Sequence, residues 1–129
     1  MARRTTWGTL LAIISMLLIA APALGGGWAV VTLDALPSEP AAGKTISFGF
    51  MVRQHGDKPV DVHTWEDGEM PTFFATNTET GEKIQFTARK EGDLGHYVVD
   101  VAFPSAGDWE IEIVPTPFAG THLGSVRCV

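Results

Sequence analysis

Residues 93–101 (DLGHYVVDV) and residues 104–113 (PSAGDWEIEI) form the stretch of this 129-residue chain that decides its fold. Apolar and polar residues alternate in both segments, and proline and glycine lie between them, so we predict a strand, a tight turn and a second strand. The step from Asp93 through Gly95 to Tyr97 is typical of a tyrosine corner, in which the phenol hydroxyl bonds back to the upstream backbone of a Greek-key sandwich. This stretch therefore predicts a fold class rather than a reaction.

The same alternation recurs along the chain. It predicts strands at 46–52, 84–88, 97–103 and 109–113, shorter strands at 28–34 and 72–77, and weaker ones at 60–64 and 121–128. Turn-forming residues separate these segments, so we predict an all-β, immunoglobulin-like antiparallel β-sandwich, a Greek key of about seven strands. The side chains expected to point into its core are Phe48, Phe50, Phe86, Tyr97, Val99, Val101, Trp109, Ile111 and Ile113.

Residues 1–25 have the features of an export segment. Two arginines precede an uncharged apolar stretch, 10–21, and small residues follow it, which is typical of a secretory signal peptide. Alternatively, residues 7–24 carry no charge and approach the length of about 17–25 residues that spans a bilayer, so the segment can remain as an N-terminal membrane anchor. Both interpretations place one domain, 26–129, outside the cytoplasm, either periplasmic or at the cell surface, and either secreted or anchored by an N-terminal helix.

Charge and composition exclude several classes of function. The chain has a net charge of −6, and removal of Arg3 and Arg4 leaves seven basic residues against fifteen acidic ones, a net charge of −8. Nucleic-acid backbones and anionic lipid surfaces need clustered cations, so we expect no nucleic-acid partner. No nucleophile–base motif, zinc-protease motif or phosphate-binding glycine loop occurs, so we predict that the chain is not an enzyme. The single cysteine, Cys128, excludes an intramolecular disulfide.

Histidine and methionine residues of the predicted domain suit a metal site. In the densest segment, 61–70, His63 and Met70 occur among four carboxylates. Imidazole binds either oxidation state of copper and thioethers favour Cu(I), so copper is the ion that these residues suit. The other candidate ligands are His55, Met51 and His96. The alternative is a solvated acidic loop in which Met70 covers the core and the histidines are exposed turn residues.

One tryptophan is a candidate for partner recognition. Trp65 lies within the acidic segment and has no place in the strand pattern. We expect its side chain to be exposed and to mark an interaction surface.

The chain after Gly26 resembles the YtkA-like/FixH-like group of small extracytoplasmic β-sandwich domains. The residues that carry the resemblance are Trp28, Pro37, Pro40, Gly43, 50–56 (FMVRQHG), Pro59, Val60, Gly95-His96-Tyr97 and 103–111 (FPSAGDWEI). Members of this group are often exported or membrane-tethered, and some are associated with copper delivery or with assembly of haem-copper oxidases. The resemblance implies such a setting here, and it supplies no invariant metal site.

These observations predict a non-enzymatic, exported or membrane-tethered envelope protein that acts as a copper-handling or oxidase-assembly accessory. The alternative is a structural or interaction subunit of a membrane complex. Such a subunit would be held in the membrane by an uncleaved N-terminal helix, and it would dock onto a protein partner in the envelope through its acidic surface and Trp65. A ligand role requires at least two of the five candidate ligands to lie within reach of one ion.

Overall fold

The computed structural model describes residues 27–36 and 39–129. The strands in these residues are β1 (Ala29–Leu33), β2 (Thr45–Gln54), β3 (Lys58–Pro59), β4 (Thr72–Asn77), β5 (Lys83–Thr87), β6 (Arg89–Lys90), β7 (His96–Ala102), β8 (Gly107–Val114) and β9 (Thr121–Cys128). A short 3-10 helix, Val62–Thr64, lies between β3 and β4. The predicted export segment, 1–25, lies outside the described residues, as do Pro37 and Ser38. Among the helices that are described, none has the length and apolar character needed to span a membrane.

The strands form two antiparallel sheets, which confirms the predicted fold class. Sheet A has the order β1-β2-β7-β6, with β3 paired to the end of β2, and sheet B has the order β5-β4-β8-β9. The inner faces of the two sheets share one apolar core, in which Phe48 packs on Phe73 and Phe103 packs on Trp109. The architecture is therefore a sandwich of the immunoglobulin type.

Two short connections carry the chain from one sheet to the other. Only Ala88 separates β5 of sheet B from β6 of sheet A, and residues 103–106 separate β7 of sheet A from β8 of sheet B. The strand–turn–strand predicted around Gly107 is therefore a corner between sheets rather than a hairpin. Crossovers of this kind give the sandwich its Greek-key arrangement.

The predicted inward faces are confirmed. Eight of the nine side chains expected in the core are buried, and Phe86 is half-buried and packs against it. On β2, Phe48 lies opposite Val99 and Phe50 lies opposite Tyr97, so the period-two pattern keeps both strands in one register. Burial of each large apolar side chain contributes about 1.5–3 kcal/mol.

The predicted corner tyrosine does bond to the upstream backbone, but the short corner bond to a residue a few positions upstream is made by a tryptophan. Trp109, near the start of β8, donates a hydrogen bond from Nε1 to the carbonyl oxygen of Ser105, at 3.0 Å and four residues upstream. This is the role that a tyrosine plays in a tyrosine corner. The Tyr97 hydroxyl accepts a hydrogen bond from the backbone N–H of His63, at 3.5 Å, and lies 2.8 Å from Nδ1 of the same residue. Because His63 is 34 residues upstream, these contacts join β7 to the 3-10 helix rather than close a local corner.

Two weaker predictions had different outcomes. The strand predicted at 121–128 is β9, whereas the segment 60–64 contains the 3-10 helix and no strand.

Trp65, which was predicted to be exposed, is half-buried because its indole packs edge-on against Phe118, with ring centroids 5.4 Å apart. Trp65 therefore offers much less surface to a partner than we expected.

Candidate functional site

The outer face of sheet A brings together two of the five candidate ligands. Met51 on β2 lies directly opposite His96 on β7, and side chains at opposed positions have Cβ atoms about 4.5–5.5 Å apart. Asp34, just after β1, places its Oδ2 atom 2.6 Å from Nε2 of His96. We call Asp34, Met51 and His96 the outer-face cluster.

The strand pairing of β1 with β2 holds Asp34 in this position. Its backbone N–H donates to the carbonyl oxygen of Gly49, at 2.9 Å. A Cβ atom at position 49 would collide with the Asp34 carboxylate and would lie 3.3 Å from Nε2 of His96. Glycine at position 49 therefore leaves the space that the Asp34–His96 pair fills.

His96 is held at both ring nitrogens. Nε2 faces the Asp34 carboxylate, and Nδ1 lies 2.5 Å from the carbonyl oxygen of Glu91. Both partners accept hydrogen bonds, so the doubly protonated imidazolium is the favoured form. The bond to Asp34 and then the bond to Glu91 raise the pKa of His96 above its ordinary value of 6.5, although partial burial opposes this shift.

A hydrogen-bonded network borders the cluster on the same face. Asp100 accepts a bond from the Ser47 hydroxyl, at 2.6 Å, and one from the Arg89 guanidinium, at 2.5 Å. These bonds, that from Ser47 first, hold the pKa of Asp100 below its usual value. Asp100 is thus engaged by its own partners, which leaves Asp34 as the carboxylate beside His96.

His63 lies in a second polar cluster, at the end of the sandwich, that joins the 3-10 helix to the start of β7. The Tyr97 hydroxyl lies 2.8 Å from Nδ1 of His63, and the Asp61 carboxylate accepts from the Gly95 N–H at 2.7 Å and pairs with Lys90 at 3.0 Å. Burial raises the pKa of Tyr97. These contacts fix 61–64 against the turn before β7, so they account for His63 without a metal.

Asp61 in this second cluster shows opposing effects on its pKa. Burial, the largest effect, raises the pKa, but the Gly95 N–H bond and the Lys90 ammonium together outweigh it, so the pKa lies below 3.8. Asp61 is therefore ionised at neutral pH, where its bonds to Gly95 and Lys90 stabilise the fold.

The remaining candidate ligands lie apart from the outer-face cluster. His55 occupies a turn after β2 with φ of 56° and packs near the indole of Trp28, while Met70 packs against the core. Within 27–36 and 39–129, no group of three or more His, Cys, Asp or Glu side chains is arranged to hold a metal ion. The outer-face cluster has two such groups and adds a thioether.

A second histidine–carboxylate pair lies on the outer face of sheet B. His122 Nε2 is 3.2 Å from Glu112 Oε2, and His122 also lines a shallow depression of about 200 Å³ beside Glu110 and Ser125. A β-bulge interrupts the pairing of β8 with β9 at this point. β9 is at the edge of sheet B, and its neighbour β8 contains no methionine, so this histidine lacks the donor set of the outer-face cluster.

Asp34 was not among the site residues predicted from the sequence. Its parity with Thr32, another outward residue of the predicted first strand, could have placed its side chain on the outer face. Only the register of β1 against β2 shows that it reaches His96, which is 62 residues away.

Comparisons with known proteins bear on the fold. No family model matches the chain, and no curated protein matches it. The crystal structure of the Lin-41 filamin domain is similar, with a TM-score of 0.53 and 11% sequence identity over 78% of this chain and 91% of that one. At this identity the similarity shows a shared immunoglobulin-like sandwich fold alone.

Proposed function

We propose that this chain is a non-enzymatic, exported or membrane-tethered envelope protein that binds copper at the outer-face cluster. The observation that supports the proposal most directly is the juxtaposition of Met51 and His96 on one sheet face with the Asp34 carboxylate at 2.6 Å from the imidazole. The export segment 1–25 and the resemblance to YtkA-like/FixH-like domains are consistent with an extracytoplasmic setting.

The donor chemistry favours copper over harder cations. A thioether is a soft ligand that selects Cu(I), and imidazole accepts either oxidation state. His96 donates Nδ1–H to a backbone carbonyl, which is the usual way that proteins orient a metal-binding imidazole with its other nitrogen towards the ion. Copper would replace the proton between Nε2 and the carboxylate, whose negative charge would lower the cost of bringing a cation to this face.

Copper titration of the full chain, followed by native mass spectrometry, tests this proposal. We expect one Cu(I) per chain and a loss of affinity of at least about tenfold in both Met51→Leu and His96→Asn, because each removes a donor of the same ion. His122→Asn is the matched control, since it removes a histidine that also faces a carboxylate but lies on the other sheet. Its affinity should equal that of the unsubstituted chain.

Two results would reject the copper site. Either the Met51→Leu and His96→Asn variants bind Cu(I) as tightly as the unsubstituted chain, or His122→Asn weakens binding as much as they do. Circular dichroism of each variant separates loss of a ligand from loss of the fold. The native mass spectra also report the mass of the chain and thus whether the export segment is retained.

A docking subunit is the second candidate, favoured by the charge of sheet B. Asp108, Glu110 and Glu112 alternate along β8 on its outer face, and Glu110 lines the depression beside His122. A basic protein surface would complement this row. A photo-crosslinking residue placed at Ser125, beside Glu110, should give one discrete adduct with a protein of the cell envelope. Glu110→Lys should remove this adduct. An adduct that persists in this variant would reject docking through the acidic row.

A further inference from the structure

Within 27–36 and 39–129, the largest exposed apolar side chain is that of Trp28, just before the first strand. Trp28 is 54% exposed, yet its position is fixed. Its carbonyl oxygen accepts a hydrogen bond from His55 N–H at 2.8 Å, and its ring centroid lies 5.7 Å from that of His55. A Cβ atom at Gly56 would be 3.4 Å from the indole, so the ring also lies over this glycine.

A second exposed apolar side chain lies at the same end of the sandwich. Leu94 is 57% exposed, and the next residue, Gly95, accepts a hydrogen bond from Val52 N–H at 2.8 Å. Trp28 therefore bonds to His55, just after β2, and Gly95 bonds to Val52, near the end of β2. We call Trp28 and Leu94 the apolar end.

We propose that the apolar end faces the lipid bilayer and that the Trp28 indole occupies the headgroup layer. This inference rests on the proposed function, specifically on retention of 1–25 as a membrane anchor. Leu24, the last residue of the uncharged segment, is four residues before Trp28, a span of at most about 14 Å. Tryptophan is enriched at this depth because its apolar body and its N–H suit the boundary between lipid and water.

The chain's net charge indicates that insertion of the indole, and not electrostatic attraction, would hold this end of the domain at the lipid surface. The domain 26–129 carries a net charge of −8, so an anionic surface would repel it. A neutral phosphatidylcholine surface imposes no such repulsion, and the anchor holds the indole close to it. The contact should therefore form on neutral lipid and should persist in high salt.

The test uses the full chain in phosphatidylcholine nanodiscs that carry a nitroxide at the headgroup. The chain contains four tryptophans, so labelling with 5-fluorotryptophan gives four ¹⁹F signals, and Trp28→Phe assigns one of them. Trp7, at the start of the proposed anchor, is the positive control. Trp109, in the core, is the negative control.

We expect the nitroxide to broaden the Trp28 signal at least about twofold, as it broadens that of Trp7, and to leave the Trp109 signal unchanged. The inference is overturned if Trp7 is broadened while Trp28 behaves as Trp109 does, and in that case the tether still stands. If the mass of the chain shows that 1–25 has been removed, or if Trp7 is also unaffected, the tether itself fails and the inference fails with it.

Discussion

Two histidine–carboxylate pairs lie on opposite faces of this sandwich, and they differ in how firmly the fold holds them. Asp34 and His96 approach to 2.6 Å with side chains 46% and 20% exposed, whereas Glu112 and His122 are 3.2 Å apart with side chains 33% and 83% exposed. His96 is held at its second nitrogen as well. The first pair is built into the packing of three segments, and the second is an exposed contact between neighbouring strands.

The two pairs should differ most in how much stability is lost when alanine replaces the glycine that packs against each carboxylate. In Gly49→Ala the new methyl group would displace the Asp34 carboxylate from His96, so both the ion pair and local packing would be lost, at about 2–3 kcal/mol of unfolding free energy. In Gly120→Ala the methyl group would lie less than 3 Å from Oε2, Cδ and Cγ of Glu112, so that side chain would have to adopt another rotamer and would lose its contact with His122. Because exposed ion pairs contribute little, we expect a loss of less than about 1 kcal/mol.

Urea unfolding of the two alanine variants measures this difference. Equal losses would show that the fold does not hold the Asp34–His96 pair more firmly than the exposed pair.

Removal of one carboxylate charge should have the next largest effect. Asp34→Asn replaces a charged hydrogen bond with a neutral one, and because Asp34 is partly exposed we expect a loss of about 1–2 kcal/mol. Glu112→Gln, the matched variant on sheet B, should cost less than about 0.5 kcal/mol, as exposed ion pairs do. Thermal unfolding at pH 6 compares the two, and a larger loss in Glu112→Gln would reverse the comparison.

Local patterns in the sequence predicted one half of the better-held pair but not the other. Period-two parity placed Met51 and His96 on the outer face, and both lie there, because each strand alternates regularly. Asp34 was not predicted because its contact with His96 depends on two strand registers, β1 against β2 and β2 against the distant β7. Long-range pairing also decides which strand carries the corner. Tyr97 and Trp109 each follow a glycine by two residues, and only the change of sheet before β8 selects Trp109.

The loop tryptophan shows the same limit. Phe118, which packs on Trp65, lies more than fifty positions further along the chain, and no nearby residue indicates that contact. Strand faces therefore followed from the sequence, while contacts between distant segments did not.

The stability that Asp34→Asn loses should depend on pH. The pKa of His96 is raised above 6.5 in the folded chain, so the stability that its charged form supplies is fully present below about pH 6.5. That stability is lost as the pH rises through the raised folded value, because a neutral ring has one N–H and cannot donate to both Asp34 and Glu91. The loss of unfolding free energy caused by Asp34→Asn should therefore be smaller at pH 9 than at pH 6. A loss that does not change with pH would contradict a charged His96.

The smallest expected effect is that of salt. An exposed ion pair is screened when the Debye length falls from about 30 Å at 0.01 M to about 3 Å at 1 M, so the few tenths of a kcal/mol lost in Glu112→Gln should vanish over this range. The loss in Asp34→Asn should largely remain, because the His96 side chain is only 20% exposed and salt screens partly buried pairs much less than exposed ones. Unfolding of both variants at the two salt concentrations measures the difference. If salt removed the Asp34→Asn loss as completely as that of Glu112→Gln, the two pairs would differ in distance alone and not in how the fold holds them.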